Sequence, residues 1–269
     1  MTDLKDYAGR LALVTGAGDG IGEMLAKGLA GLGMVVAVQD IRAEAAERVA
    51  GEIGGDAFPI VFDVSDRDAA MAAAETLKSK GTPLSVLWIN AGVGIGSPLL
   101  KGKPGAIEWG FSVNVLGVIW TAQAFWPLME GAGGPRHVGV TASSAAMRPP
   151  EGDFPLYALT KHGTFAVAET LRGELGQAGV PVTIFCPGLL NTTIWDGAKA
   201  RPDRFGGPRR MDPSVSKMWD EAKRPDVMWP AIAEALAGDG GYLVCGTEGG
   251  LKAGWEARAA EIAAGIREV

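Results

Sequence analysis

Tyr157 and Lys161 stand four residues apart, and Ser144 precedes them by one loop of chain. On a helix that spacing puts both side chains on one face, one turn apart. A free tyrosine ionises near pH ~10, too high for proton exchange at neutral pH. An ammonium within about 4–6 Å favours the phenolate and lowers that value. The pair could then pass a proton to or from a substrate oxygen, while the Ser144 hydroxyl holds the same oxygen. Tyr-x-x-x-Lys alone also suits an amphipathic surface helix, so the chemistry depends on what else the chain brings to this stretch.

A second stretch points to a phosphate-bearing ligand. The apolar run Arg10–Thr15 reads as a strand buried on both faces. It leads into Gly16-Ala17-Gly18-Asp19-Gly20-Ile21-Gly22, and Ile21, Leu25, Leu29 and Leu32 then recur at helical spacing up to Gly33. A glycine loop between a strand and a helix is the setting in which such a motif carries weight. Gly16 allows the tight turn, Gly20 a close approach of backbone to a pyrophosphate, and Gly22 close helix–sheet packing. The helix N-terminus adds free N–H groups and a positive dipole end.

The elements that position these stretches alternate. Strands are expected at 34–39, 58–63, 84–90, 138–143, 180–186 and 242–245. Helices are expected at 42–53, 66–80, 105–130 and from Pro155 to about 178. Such alternation predicts an α/β fold: one doubly wound parallel sheet, helices on both faces, a single domain over 1–269. Ligands of such sheets bind at the carboxyl ends of the strands. Gly16–Gly22, Asp40, Asp63, Asn90-Ala91-Gly92, Ser144 and Pro187-Gly188 all fall there.

Asp40 ends the second strand 20 residues beyond Gly20, where a carboxylate accepts from an adenosine ribose 2′-OH. A 2′-phosphate would meet like charge there. Two charges about 4 Å apart repel by roughly 4 kcal/mol at an effective dielectric near 20. Asp19 adds to that field, Arg42 opposes it, and NAD is expected over NADP.

Thr15-Gly-x-x-x-Gly-x-Gly22, Asn90-Ala91-Gly92, Ser144, Tyr157-x-x-x-Lys161 and Pro187-Gly188 occur together and in order, and in this the chain resembles the short-chain dehydrogenase/reductase family. The resemblance runs over about residues 8–195 and implies the following roles. Asn114 is the asparagine that bends the long helix and holds a water in a proton relay. Ser144, by its distance to Tyr157, is the catalytic serine rather than Ser143. Tyr157 is the acid/base, and Lys161 also binds the nicotinamide ribose. Asp63 and Val64 contact the adenine, though Asp63 also suits a helix N-cap. Pro187, Gly188, Leu190 and Thr192 grip the nicotinamide end. The implied activity is NAD-dependent interconversion of a secondary alcohol and a ketone. A double-bond reductase or epimerase on the same scaffold, or a dinucleotide-binding protein without catalysis, is the alternative.

Two regions depart from that pattern. A lid at about 191–226 carries Ile194, Trp195, Phe205, Met211, Met218 and Trp219, with Arg201, Arg204, Arg209 and Arg210. Its aromatic and Met side chains suit an apolar or aromatic substrate, or else pack the lid on the body; the arginines would meet an anionic group or solvent. A helical tail at about 254–269 replaces the usual Gly-rich ending, which questions a tetramer; a homodimer or homotetramer is expected.

Composition closes off other classes. The formal charge is −6 with no basic block, against a nucleic-acid partner. No apolar run looks long enough to span a bilayer and no leader pattern opens the chain, so no membrane partner is expected. Cys186 and Cys245 sit in β-like runs without metal spacing, consistent with a reduced cytoplasmic compartment.

Overall fold

The first strand, buried along its whole length, shows how the core is divided. In the computed structural model, which describes residues 2–149, 154–209, 221–246 and 250–265, β1 spans Leu11–Val14. Its Leu11 and Leu13 enter one apolar cluster and its Ala12 and Val14 another. Successive strand side chains point to opposite faces, so both faces of this sheet are covered. That is why its strands read as continuous Val/Leu/Ile runs rather than alternating ones.

The other strands are β2 (Val35–Asp40), β3 (Phe58–Val61), β4 (Leu84–Ile89), β5 (His137–Thr141), β6 (Val182–Pro187) and β7 (Gly240–Cys245). All seven pair in parallel in the order β3-β2-β1-β4-β5-β6-β7. The order reverses between β1 and β4, which opens the crevice where such sheets bind ligands. The helices are α1 (Gly20–Gly31), α2 (Ala43–Ile53), α3 (Arg67–Lys78), α4 (Pro104–Phe111), α5 (Gly117–Glu130), α6 (Pro155–Gln177), α7 (Trp229–Ala237) and α8 (Leu251–Gly265). Together they make a Rossmann-like single-domain sheet, as the alternating pattern predicts, with element ends shifted by a residue or two.

One expectation needs correction, that no apolar run is long enough to span a bilayer. The helical region expected at 105–130 is present as Pro104–Glu130, with a π-turn, Ser112–Leu116, between α4 and α5. It is also long and apolar enough to meet the length and composition of a membrane span: Pro104–Glu130 runs 27 residues, with a mean hydropathy of 1.2 in its most apolar window. The apolarity has a local cause. Trp109, Val113, Val118, Phe125 and Met129 are buried in the cluster against the sheet.

The lid is described only in part: 3-10 turns at Ile194–Ala200, Asp203–Phe205 and Pro225–Met228. Arg210, Met211, Met218, Trp219 and the last tail residues 266–269 lie outside the described residues.

Candidate active site

Gly16 has φ +61, and a Cβ added there would lie 2.7 Å from Ala91 Cα. A Cβ on Gly22 would lie 2.0 Å from the Gly16 carbonyl oxygen. The turn after β1 is therefore closed to side chains at both positions, for conformation in one case and for space in the other. Asn90 fastens this turn from β4: its Nδ2 donates to the Thr15 and Gly16 carbonyls at 3.1 and 3.2 Å. Thr15 Oγ1 accepts in return from the Asn90 and Ala91 N–H groups at 3.0 and 3.1 Å. Asp19 is the N-cap of α1 without a side-chain cap hydrogen bond among the described residues. The first-turn N–H groups of α1 thus stay uncapped by Asp19, and Gly20, Ile21 and Gly22 line a cavity of about 430 Å³. This is a cradle of the kind that holds a pyrophosphate.

At the end of β2, Asp40 is 5% exposed. Its carboxylate accepts from the Gly18 N–H at 3.1 Å, the Arg42 N–H at 2.9 Å, and Arg42 Nε and Nη2 at 3.0 and 3.2 Å. Arg42 Nη2 also reaches Asp19 at 2.8 Å. Hydrogen bonds to Asp40 foremost, then the charges of both carboxylates, hold the Arg42 guanidinium in its charged form. The opposing cation is thus clamped by the two carboxylates it would have to leave. The same clamp leaves one net negative charge where two were expected to face a 2′-phosphate.

Asp63 follows β3, and its contacts differ from a simple adenine site. One oxygen accepts from the Ser65 N–H and hydroxyl at 2.9 and 2.7 Å. The other pairs with lid residue Arg204 at 2.6 Å. Val64 lines the cavity beside it.

At the opposite end, α6 carries Tyr157 and Lys161. Lys161 is 3% exposed and its Nζ donates to the Thr141 carbonyl at 3.1 Å. Burial lowers the ammonium to about 8. Nζ lies 5.9 Å from the centre of the Tyr157 ring. Burial pushes the Tyr157 phenol up to about 12, and the Ser143 hydroxyl, its hydrogen-bonding partner, acts the other way. Desolvation sets the direction in this state, against the lowering expected from Lys161. The serine also differs from expectation: Ser143, not Ser144, meets Tyr157. Ser143 is extended (φ −172, ψ 154) and caps the 3-10 turn Ser144–Met147, accepting from Ala145 N–H with its own hydroxyl. Ser144 lines the same cavity one residue on.

Asn114 sits in the π-turn and is fully buried. Its Oδ1 accepts from Val93 N–H at 2.8 Å, and its Nδ2 donates to the Val93 carbonyl and Thr160 Oγ1 at 2.9 and 2.8 Å. A Cβ on Gly92 would lie 3.2 Å from Lys161 Nζ and 3.3 Å from Asn114 Oδ1, so the two side chains flank one glycine.

Pro187, Gly188, Leu190 and Thr192 line the cavity between the glycine loop and the lid. Lid residues Ile194 and Trp195 form its far wall. The Trp195 ring lies 4.3 Å from Phe154 and 5.4 Å from Tyr157 between centroids. Trp109 and Arg148 line the same wall, while Phe205 packs against the core. Arg201 is 5% exposed and donates to the Gly207 and Gly206 carbonyls, so it ties the lid to itself. His162 turns elsewhere, bonding the Ala158 carbonyl and Arg258 of α8, both at 2.8 Å.

Gln39 also shapes the site, outside every motif of the sequence. It is buried, accepts from Gly16 N–H at 3.0 Å and donates to the Phe62 carbonyl at 2.6 Å. A lone amide in the apolar run of β2 was the available signal, because a buried amide needs partners.

The profile of the short chain dehydrogenase family matches residues 10–203. The 1-deoxy-11-beta-hydroxypentalenate dehydrogenase of Streptomyces exfoliatus is 33% identical over 248 residues, 90% of this chain and 85% of its own. The probable oxidoreductase EphD of Mycobacterium tuberculosis is 34% identical over 191 residues, 70% of this chain, but the chain spans only 32% of that protein's length. A short chain dehydrogenase/reductase from Burkholderia phymatum, solved in complex with NAD, superposes with a TM-score of 0.86 at 27% identity, over 98% of both chains. A metagenomic short-chain oxidoreductase solved with NADP gives 0.72 at 26% identity, over 90% of this chain and 99% of its own. A matched profile spanning most of the sheet, and a glycine cradle sharing one cavity with a tyrosine–lysine pair, lead to one conclusion: the chain belongs to the short-chain dehydrogenase/reductase family, oxidoreductases that bind a nicotinamide dinucleotide.

Proposed function

We propose that the chain interconverts a secondary alcohol and a ketone on an apolar, ring-bearing substrate, with NAD preferred to NADP. One observation carries the reading. Tyr157, Ser143 and Lys161 line the same cavity as the glycine cradle, and Trp109, Phe154, Ile194 and Trp195 line it too, beside Arg148. Proton-transfer groups, a phosphate cradle and an aromatic wall therefore share one space, as catalysis by proximity requires. A relative named as a dehydrogenase of 1-deoxy-11-beta-hydroxypentalenate supports a hydroxyl-bearing substrate.

The residues present fit a dinucleotide. Gly16 and Gly22 keep the turn tight and Gly20 lines the cavity, so the loop would hold the pyrophosphate; Asp40 would meet the adenosine ribose, and the buried Lys161 ammonium has N–H groups beyond the one given to Thr141 for the second ribose. Bound nicotinamide supplies or accepts the hydride. In oxidation, the Tyr157 oxygen takes the proton of the substrate hydroxyl while the Ser143 hydroxyl holds the same oxygen. Ser144, one residue along the turn, lines the pocket beside them. Lys161 as a cation favours the phenolate, against the burial that opposes it. Asn114 holds Val93 at the pocket edge and links it to α6. Trp195 and Phe154 cover the reacting oxygen and exclude water.

NAD preference rests on Asp40 and Asp19. Arg42 softens it, because a ribose hydroxyl has to share or displace guanidinium contacts on Asp40. A cytoplasmic location and a homodimer or homotetramer belong to the same proposal, and the assembly is supported by Phe111 and Leu116 exposed at the π-turn and Tyr242 and Val244 on the edge strand. The test is a panel of aromatic and alicyclic secondary alcohols and ketones, followed by nicotinamide absorbance with NAD(H) and NADP(H) in parallel. Turnover is expected with bulky apolar members and the phosphate-free cofactor. Turnover of none of them with either cofactor would overturn the reading.

A further inference from the structure

Two threonines one turn apart on α6 tie that helix to the π-turn carrying Asn114. Thr160 is fully buried; its hydroxyl accepts from Asn114 Nδ2 at 2.8 Å and donates to the Tyr157 carbonyl at 2.8 Å. Thr164 is 1% exposed, and its hydroxyl lies 2.6 Å from the Asn114 carbonyl oxygen and 3.1 Å from that of Thr160. A hydroxyl has one proton to donate, and the shorter contact, to Asn114, takes it. Side chain and backbone of one residue in the π-turn are thus held by successive turns of the helix that bears Tyr157 and Lys161.

The π-turn gives this contact its consequence. Gly117 N–H bonds the Ser112 carbonyl, a five-residue step, so the helical ladder changes register there. Where the ladder is offset, an outside hydroxyl can enter it. We infer that Thr164 is a positioning residue: its hydroxyl holds the Asn114 turn in register with α6 and so sets the spacing between Asn114, Lys161 and Tyr157. Removing it strips a donor from a buried carbonyl, and the turn shifts to recover a partner. Lys161 and Asn114 flank Gly92 closely enough that such a shift alters the surroundings of the ammonium. The glycine cradle, built on β1, α1 and Asn90, has no share in the contact.

The inference rests on Tyr157 and Lys161 acting in proton transfer, and its test separates the two. Wild type, Thr164→Val and Thr164→Ser are compared for kcat, the pH of half-maximal kcat, and NADH affinity by fluorescence titration. A displacement near 1 Å at a reacting group costs up to about 10²-fold. Thr164→Val is expected to lose about 10- to 100-fold in kcat, shift the pH of half-maximal kcat, and keep NADH affinity within about twofold. Thr164→Ser, which restores the donor, is expected within about threefold of wild type. A Thr164→Val enzyme with wild-type kcat and pH profile overturns the inference. So does an equal loss in both variants, or a loss of kcat matched by a loss of NADH affinity. If Thr164→Val does not fold, Thr164→Ser against Thr164→Ala is judged by the same criteria. A wild type without turnover sinks the proposed function, and this inference with it; an active wild type beside an unchanged variant sinks this inference alone.

Discussion

At the end of the cleft built by β2 and β3, charges meet charges. Arg42 bridges Asp19 and Asp40, and Arg204 of the lid pairs with Asp63. The two arginine side chains remain 45% and 46% exposed. At the end built by β5 and α6, Lys161 is buried and donates to a neutral carbonyl, and Tyr157 meets a hydroxyl. The carboxylates they meet are more enclosed, Asp40 at 7% and Asp63 at 15%, so each of these pairs has one partner in solvent and one in the protein. Burial moves the second pair in opposite directions, Lys161 down to about 8 and Tyr157 up to about 12. Recognition is placed where each ion pair keeps one partner in solvent, and proton transfer where desolvation dictates protonation.

The comparison breaks most readily at Lys161. Its folded pKa of about 8 lies below the ordinary 10.5, so the folded protein binds fewer protons than the unfolded chain between those values. Stability contributed by this group therefore rises with pH across that window, by about 3 kcal/mol at 1.36 kcal/mol per unit. Below pH 8 the full cost of the buried ammonium is present. Cys186, pushed up to about 12 by burial, works in the opposite direction above its ordinary 9. The difference between wild type and Lys161→Met isolates the lysine. Urea unfolding of both from pH 7 to 10.5 should show wild type gaining about 3 kcal/mol on the variant; a gap that stays constant with pH would place Lys161 in a wetter site than described.

The two serines sharpen the comparison within the buried end. Ser143→Ala is expected to lower kcat by about 10²-fold, or roughly 2.7 kcal/mol, the range for one donor to a developing oxyanion. Ser144→Ala should cost at least about tenfold less. Reversed magnitudes would return the oxygen-holding role to Ser144.

The exposed end should respond least. Wild type is expected to favour NAD over NADP in kcat/KM by about tenfold, or 1.4 kcal/mol. Asp40→Ala should narrow that ratio, because Arg42 is released from its nearer carboxylate to face a 2′-phosphate. A wild type that prefers NADP would mean that Arg42, rather than Asp40, governs this subsite.

What the chain disclosed of itself follows the same division. The glycine loop, Asp40 and the Tyr157–Lys161 step were legible because each is local: a turn needs φ > 0, a helix sets a four-residue spacing, and a carboxylate ends a strand. The parallel sheet was legible because seven short apolar runs alternate with helical ones. Four features were not. Choosing Ser143 over Ser144 turns on backbone angles at one residue, and counting to Tyr157 does not contain them. The pairing of Asp63 with Arg204 joins positions 141 apart in the chain, and a solvated arginine reads the same in sequence. The rise of the Tyr157 pKa depends on how completely the lid and α6 exclude water, a property of the assembled pocket. The span-like apolarity of Pro104–Glu130 was missed because polar and small residues interrupt it in sequence while its helix stays continuous.

The central claim is that Tyr157 exchanges a proton with the substrate oxygen beside a bound dinucleotide. Tyr157→Phe keeps the ring that packs on Trp195 and removes only the hydroxyl, so the most direct measurement pairs NADH fluorescence titration with kcat on the best alcohol of the panel. The account predicts NADH affinity within about twofold of wild type and a loss in kcat of at least about 10³-fold, within the range of general acid–base catalysis. Near wild-type turnover in that variant would contradict it.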